Sequence, residues 1–160
     1  MRLRFIVVFA FVAALTSPAL AGHSSAIVHE IHFMSPSRNI HCRGAGSGVA
    51  CLLVHDNWSS KPRRPSTCDL DWSPTDMSLY VDVHGRWRVG VGGCRGDIGP
   101  LCYPQEPCVV LRYGRSLTAT NGSRRIRCTS RANGVTCLRL GAGKGVRGFR
   151  IAREGYAVLK

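Results

Sequence analysis

The fold of this chain is decided by Ser37-Arg-Asn-Ile-His-Cys42 and by the Gly48-Val-Ala-Cys-Leu52 that follows it. The same pattern returns 86 residues later as Ser123-Arg-Arg-Ile-Arg-Cys128 and Gly134-Val-Thr-Cys-Leu138. Eight of 17 positions are identical between 37–53 and 123–139, and both cysteines are among them. Each copy has a short stretch into the first cysteine, a polar turn, and a stretch out through the second, which is typical of a β-hairpin. The sequence therefore predicts one hairpin that occurs twice.

The N-terminal residues indicate the compartment. Arg2 and Arg4 precede an apolar run from Phe5 to Leu15, and Ala19-Leu-Ala21 has the small-x-small form of a signal-peptidase site. We therefore expect a signal peptide at 1–21, an N-terminal arm at 22–32 and a single disulfide-rich β domain at 33–160. The mature protein is expected to be periplasmic or extracellular, without a transmembrane anchor, because the apolar run is too short to span a bilayer.

Export to an oxidising compartment determines how the cysteines are interpreted. All eight lie after residue 21, and an even number of thiols in an exported chain indicates a disulfide framework. Cysteines that face each other across a hairpin are within disulfide reach, which predicts Cys42–Cys51 and Cys128–Cys137. Closing a loop of about ten residues stabilises the fold by roughly 2.5 to 3 kcal/mol in the chain-entropy model.

The four other cysteines lie between the two hairpins, and they can pair in three ways. They are Cys68, Cys94, Cys102 and Cys108. The most local choice joins Cys68 to Cys94 and Cys102 to Cys108. Since the chain has no CxxC pair, we expect no metal site.

The rest of the chain also has the alternation of strands. Residues 79–84 and 87–91 alternate on either side of a turn at Gly85, which predicts a two-stranded meander between the hairpins. Further strands are predicted at 109–113, 149–153 and 156–159. Helix stays an option only at 23–33, and two prolines with three basic residues at 58–65 predict a loop. The fold class is all-β: a small disulfide-stapled domain of about eight strands, with two repeated hairpins and a central meander.

Positive charge is concentrated in the last third of the chain. Lys and Arg number 22 against 9 Asp and Glu overall, yet 22–108 carries eight of each sign, whereas 109–160 carries twelve basic residues and one acid, Glu154. Such an excess favours an anionic polymer, a lipid surface or an acidic protein as partner. The candidate ligand-binding residues are Arg124, Arg125, Arg127, Arg131, Arg139, Lys144, Arg147 and Arg150. Few aromatic residues accompany them, so specific nucleic-acid binding is not expected.

Catalysis and cofactors have weaker support. No GxSxG elbow is present, no cysteine is left free if all eight pair, and Gly141-Ala-Gly-Lys-Gly145 lacks the order of a phosphate loop. We therefore expect no catalytic residues and no cofactor. Two alternatives stay open. One is a small secreted hydrolase that uses a His/Asp pair around His55 or His84, and the other is a secreted enzyme inhibitor that presents the 102–108 loop.

Several motifs together resemble a domain of unknown function found in exported bacterial proteins. They are Phe33 to Cys42 with the following Gly-Val-x-Cys, the proline-rich run from Trp58 to Trp72, Cys94-Arg-Gly-Asp97, Leu111-Arg-Tyr-Gly114 and Gly134-Val-Thr-Cys137. The resemblance covers nearly the whole mature chain and implies that Cys94 pairs with Cys68. It implies no activity or ligand, and it does not extend to Cys102 and Cys108. Charge and framework together predict a non-catalytic binding module for an anionic envelope or extracellular partner.

Overall fold

The computed structural model describes residues 25–97, 99–104, 106 and 108–160; the predicted signal peptide at 1–21 lies outside them. These residues form twelve strands and no helix. The strands are β1 (Ser25–Val28), β2 (Glu30–Met34), β3 (Ile40–Ala45), β4 (Gly48–Leu53), β5 (Asp71–Val81), β6 (Trp87–Arg95), β7 (Val109–Val110), β8 (Ser116–Asn121), β9 (Arg124–Arg131), β10 (Gly134–Leu140), β11 (Gly148–Ala152) and β12 (Gly155–Leu159). The all-β prediction is confirmed.

The strands form two six-stranded sheets. The N-terminal sheet has the order β6-β5-β4-β3-β2-β7, and the C-terminal sheet has the order β1-β8-β9-β10-β11-β12. Five consecutive strands in each sheet make an antiparallel meander, whereas the sixth strand is parallel and comes from the other half of the chain. β7 pairs with β2, and β1 pairs with β8. This exchange of one strand joins the two halves of the chain into a single unit.

The core lies between the inner faces of the two sheets. In β2, Ile31 and Phe33 are buried while His32 between them is partly exposed, and in β9 the buried positions include Ile126 and Cys128. This period of two is what a strand with one buried face requires. The hydrophobic surface of each sheet is therefore covered by the other.

All four predicted disulfides are confirmed, and the two hairpin disulfides lie at the centre of the core. Cys42–Cys51 and Cys128–Cys137 join directly opposed residues of β3 with β4 and of β9 with β10. Their four cysteines have no exposed surface. Cys68–Cys94 anchors the long connection before β5, and Cys102–Cys108 closes a short loop before β7. No described cysteine is free.

Some strand boundaries differ from the sequence expectations. The meander strand predicted at 79–84 belongs to β5, which starts at Asp71 and includes Pro74. Its pairing with β6 shifts register between Ser73 and Met77, and a bulge of this kind is how a strand accommodates a proline. The bulge also buries Asp76, which accepts hydrogen bonds from Ser73 Oγ at 2.7 Å and Arg95 Nε at 2.9 Å.

The N-terminal arm and the strand before Gly114 also differ in detail. The 22–32 arm contains β1 and the first half of β2, so neither sheet is complete without it, and the helix option at 23–33 is wrong. The strand predicted at 109–113 ends after Val110, and the chain turns farther on, at Gly114, where φ is +79°. The described residues form twelve strands rather than the expected eight or so. In the described part of the chain, no helix is long and apolar enough to cross a membrane.

Candidate functional site

A cleft of about 620 Å³ opens where three turns meet at one end of the sandwich. The turns join β2 to β3, β9 to β10, and β11 to β12, and the segment after β7 completes the wall. The lining is polar and includes Arg38, Arg131, Arg153, Glu154 and Tyr113. We call this feature the arginine cleft. It gathers residues that lie more than 100 positions apart in the sequence.

The three arginines of the cleft are not neutralised by the fold. None of the side chains of Arg38, Arg131 and Arg153 makes a hydrogen bond or an ion pair with another described residue, whereas Arg43, Arg88 and Arg95 each pair with a carboxylate. The cleft contains one acidic side chain, that of Glu154. A guanidinium presents several N–H donors in a planar fork that matches a carboxylate, phosphate or sulfate. The cleft is therefore suited to a negatively charged group.

Arg38 is held in an unfavourable backbone conformation by the turn around it. Its φ is +57°, and it is the one described residue other than glycine with a positive φ. The turn is fixed by hydrogen bonds from Arg38 N to Ser35 O at 2.8 Å and from Ile40 N to Ser35 Oγ at 3.1 Å. Asn39 exchanges two bonds with the backbone of His55 at 2.8 and 2.9 Å. Backbone strain held by its surroundings is characteristic of functional sites.

His41 connects this turn to the Cys102–Cys108 loop. The imidazole is buried, and its Nδ1 accepts a hydrogen bond from the backbone N–H of Cys102 at 3.1 Å. Nε2 therefore carries the proton and donates it to the carbonyl of Arg38 at 2.9 Å. The disulfide-closed loop thus supports the strained residue of the cleft through one side chain.

The internal repeat explains why this end of the sandwich is open and the other is closed. At the other end, Gly46 in the β3–β4 turn lies against the β8–β9 turn, so closely that an added Cβ would come within 2.3 Å of Asn121 N. The residue 86 positions after Gly46 is Ala132, in the β9–β10 turn that lines the cleft. Because Ala132 has a Cβ, it cannot make the same close approach to the opposite turn. Replacement of glycine by alanine in the second copy is therefore a physical reason for the cleft.

A family model described as a family of unknown function, DUF6636, matches residues 8–156. The chain belongs to the DUF6636 family. No curated protein matches the chain, and no solved structure matches it either. This membership of the DUF6636 chain agrees with the resemblance of its motifs to a domain of unknown function. The description of the family names no activity. The function must therefore be argued from the site.

The eight predicted basic residues of the DUF6636 chain lie in four separate places. Arg131 alone of the eight lines the arginine cleft. Arg125 and Arg127 project from the outer face of the C-terminal sheet, where they alternate with buried Ile126, and Arg124 begins the same strand. The strand arginines form a second basic surface, distinct from the cleft.

Of the other four predicted residues, Arg139, Lys144 and Arg147 lie at the β10–β11 connection, and Arg150 lies within β11. Arg139 donates to the carbonyls of Val146, Gly141 and Gly143 at 3.0, 2.8 and 2.7 Å, so its side chain holds that connection together. Lys144 and Arg147 are exposed within it. Arg150 donates to the carbonyl of Asn133 at 2.7 Å and so supports the turn that carries Arg131. These contacts give Arg139 and Arg150 structural partners.

Arg38, Arg153 and Tyr113 belong to one site that the sequence did not predict. Arg38 lies in the near-neutral half of the chain, so a count of charge by segment directs attention elsewhere. The available signal was the repeat, in which Arg38 corresponds to Arg124. If the two hairpins were known to face each other, the repeat would have predicted that the β2–β3 and β9–β10 turns lie close together.

The two His/Asp pairs of the hydrolase alternative differ from a catalytic pair. Asp82 lies in the β5–β6 turn, and backbone N–H donation from Arg86, with a side-chain bond from Arg88, holds its pKa below the ordinary value. Asp56 bonds Lys61, which lowers the pKa of its carboxyl. The imidazoles of His55 and His84 make no hydrogen bond with a described carboxylate. Both carboxylates thus serve turns and ion pairs.

Two groups of sulfur and nitrogen atoms come close enough to suggest a metal site, but all of their cysteines are oxidised here. One group is Cys42, Cys51 and Cys137 in the core, and the other is His32 with Cys102 and Cys108. A disulfide sulfur has no thiolate to offer. The second group has one further feature: His32 Nε2 is buried and has no hydrogen-bond partner among the described residues.

Proposed function

We propose that this protein is a non-catalytic binding module that takes an anionic ligand in the arginine cleft. The observation that carries the proposal is the convergence of Arg38, Arg131 and Arg153 from three different turns without a pairing carboxylate among the described residues. All three residues are exposed to solvent, so their guanidinium groups are hydrated and accessible to an anion that enters the cleft, with which they can form charge-assisted hydrogen bonds. An incoming carboxylate, phosphate or sulfate supplies the missing acceptors.

The other lining residues suit a ligand with polar groups beside its charge. The ring of Tyr113 is 46% exposed and offers a flat apolar surface with a hydroxyl at its edge. Ser37 and Asn133 add further polar groups. Glu154 can accept a bond from a hydroxyl or amine of the ligand while it repels a second anionic group placed beside it. An anionic oligosaccharide or a similar envelope polymer fits this combination.

The framework supports a site of action outside the cytoplasm. Four disulfides in one small domain form and persist in an oxidising compartment. Secretion to the periplasm or beyond, through the signal peptide expected at 1–21, is part of this proposal. The positive field of the C-terminal half would then speed the encounter with polyanions of the envelope.

Two variants that remove the same charge test the proposal. Arg38→Gln, Arg131→Gln and Arg153→Gln empty the cleft of guanidinium groups, and Arg124→Gln, Arg125→Gln and Arg127→Gln remove as many from the strand surface. Binding of the oxidised protein to an oligouronate, a sulfated glycan, polyphosphate, polyglutamate and anionic vesicles is measured by calorimetry at about 0.15 M salt, where exposed charges are screened beyond roughly 8 Å.

The expected result is one preferred anion, whose affinity falls at least about 100-fold in the cleft variant, because losing even two charge-assisted hydrogen bonds of roughly 1.5 to 3 kcal/mol each weakens binding by that much or more. The strand variant should lose less than about threefold at that salt. If the strand variant loses more, the ligand lies on the sheet face that the sequence favoured. If both lose equally, only net charge is at work, and the proposal fails.

A further inference from the structure

His32 and the Cys102–Cys108 disulfide lie together on the outer side of the N-terminal sheet. The ligand atoms of the three residues, Nε2 or Nδ1 of His32 and the two Sγ atoms, are all within 4.8 Å of one another. Pairing of β7 with β2 brings them together, since β7 begins immediately after Cys108 and runs beside Phe33. They are separated by about 70 residues in the sequence, so spacing rules for metal ligands cannot detect them.

The His32 imidazole is the unexplained member of this group. Its Nε2 is buried, and no described residue bonds it. A buried polar atom without a hydrogen-bond partner costs roughly 1 to 3 kcal/mol of folding free energy, and such atoms are therefore rare in folded proteins. The ring belongs to a residue on the outer face of β2, opposite Arg43 of β3, and its ligand nitrogen lies within 4.8 Å of both sulfur atoms.

We propose that His32, Cys102 and Cys108 form a latent site for a thiophilic cation such as Zn²⁺, which opens when the disulfide is reduced. The step takes two electrons and two protons from a dithiol, which becomes a disulfide while the Cys102–Cys108 bond breaks to two thiols. Zn²⁺ then displaces the two thiol protons and takes two thiolates and the neutral imidazole as ligands. Water fills the fourth position, which is the arrangement of an open zinc site.

The geometry needs only a local movement. Tetrahedral Zn²⁺ with Zn–S bonds of 2.3 Å places two sulfurs about 3.8 Å apart, so the thiolates must separate by a modest distance once the bond between them is gone. The two Cα atoms lie 5.6 Å apart. Both cysteines are partly exposed, and Pro104 and Glu106 between them are exposed, which leaves room for this adjustment.

This disulfide is also the one whose loop closure stabilises the fold least. It joins residues six positions apart, against nine for each hairpin disulfide and 26 for Cys68–Cys94. In the chain-entropy model, the difference between loops of 7 and 27 residues makes the shorter one roughly eightfold easier to reduce at equilibrium. The hairpin disulfides are further protected by burial. A dithiol buffer should therefore open the 102–108 loop while the sandwich stays folded.

The test begins with the mature protein in a dithiol redox buffer poised to release two thiols per chain. Alkylation and peptide mapping identify these thiols, and a second sample is desalted without oxygen and titrated with Co²⁺ and then Zn²⁺. The expected result is thiols at Cys102 and Cys108, one Co²⁺ per chain with a thiolate charge-transfer band, and loss of the band when Zn²⁺ displaces it. The oxidised protein is expected to show no such band.

His32→Gln provides the decisive comparison, with His84→Gln in the exposed β5–β6 turn as its matched control. Even an outer-shell partner typically contributes 10- to 100-fold to metal affinity, so losing a ligand should weaken Zn²⁺ binding at least about 100-fold. The control should bind as the parent does. The proposal is overturned if the released thiols map elsewhere, if the reduced protein binds Co²⁺ no better than Cys102→Ser/Cys108→Ser, or if His32→Gln leaves the affinity unchanged.

Discussion

Cys51 Sγ lies 3.9 Å from Cys137 Sγ, and the two residues are exact equivalents in the 86-residue repeat. When two copies of a unit are related by a twofold axis, an atom can contact its equivalent in the other copy only if both atoms lie next to that axis. The contact therefore places the pseudo-twofold axis of the duplicated unit between the two hairpin disulfides, at the centre of the core. The hairpins, the exchanged strands β1 and β7, and the two end faces of the sandwich are all organised around this contact.

The buried disulfides should contribute more stability than the surface one. We expect Cys128→Ala with Cys137→Ala to lower the free energy of unfolding by about 3 to 5 kcal/mol, because loop-closure entropy and close packing are lost together. Cys102→Ser with Cys108→Ser should cost at most about 2.5 kcal/mol, the loop term alone. Guanidinium unfolding checks both. Equal costs would contradict the view that the hairpin disulfides are the packed centre.

Gly46→Ala tests the closed end of the sandwich. The added Cβ would approach Asn121 N to 2.3 Å, so the turns must move apart, and we expect a loss of roughly 1 to 3 kcal/mol. Gly155→Ala is the matched control, since nothing lies within 4 Å of its Cβ position. Thermal unfolding of the two variants gives the comparison. Similar stability of both would show that the β3–β4 and β8–β9 turns do not pack as described.

Arg38→Asn should separate stability from binding. Asparagine tolerates the left-handed backbone better than arginine does, so relief at φ +57° should raise the free energy of unfolding by up to about 1 kcal/mol. The same change removes a guanidinium from the arginine cleft and should weaken anion binding. Unfolding and calorimetry on one preparation measure both quantities. A less stable variant with unchanged affinity would argue against strain held for function.

Asp82 should account for part of the acid sensitivity of the fold. Hydrogen bonds from Arg86 N–H, the side chain of Arg88 and His84 N–H lower its pKa from the ordinary 3.8. A lowered carboxylate pKa contributes stability that is present above the unfolded value and is lost as pH falls through the folded one. Asp82→Asn should therefore lose less stability than the parent between pH 5 and about 2, although it starts lower. The measurement is the denaturant midpoint of both proteins across that pH range. If the midpoints of the variant and the parent change with pH in parallel, Asp82 does not contribute to acid sensitivity.

The pKa of Asp76 is shifted in the opposite direction from that of Asp82. Burial raises its pKa, and the bonds from Ser73 and Arg95 oppose that effect. A raised carboxylate pKa favours the fold below the unfolded value, and this contribution is lost as pH rises through the folded one. The raised pKa of Asp76 works against acid sensitivity, whereas the lowered pKa values of Asp82 and Asp56 contribute to it.

Local patterns in the sequence were sufficient to predict the two hairpins and the disulfide within each of them, whereas the pairing of the other four cysteines stayed open among three choices. The spacing Cys42 to Cys51 recurs at Cys128 to Cys137, and cross-strand pairing follows from alternation within each copy. The two parallel pairings were not visible, because β1 with β8 and β7 with β2 join segments whose local sequences say nothing about each other. Contacts between segments that are distant in the sequence depend on how the two sheets pack against each other, which local patterns do not report.

The arginine cleft could be predicted only in part for the same reason. Arg131 was found from the basic excess of the last third, yet Arg38 lies in a segment of zero net charge. Arg139 has the same residue type and serves the β10–β11 connection instead. Charge along the sequence gives the sign of the field, whereas the turns decide which guanidinium groups converge and which are used by the fold.

Backbone amide chemical shifts, recorded while the preferred anion is added at near-physiological salt, test the central claim most directly. The account predicts that the largest changes fall in the three turns of the cleft, at 35–39, 131–134 and 153–154, with saturation at one ligand per chain. Changes that centre on 124–127 of β9, or that are small and spread over all basic residues, would contradict it.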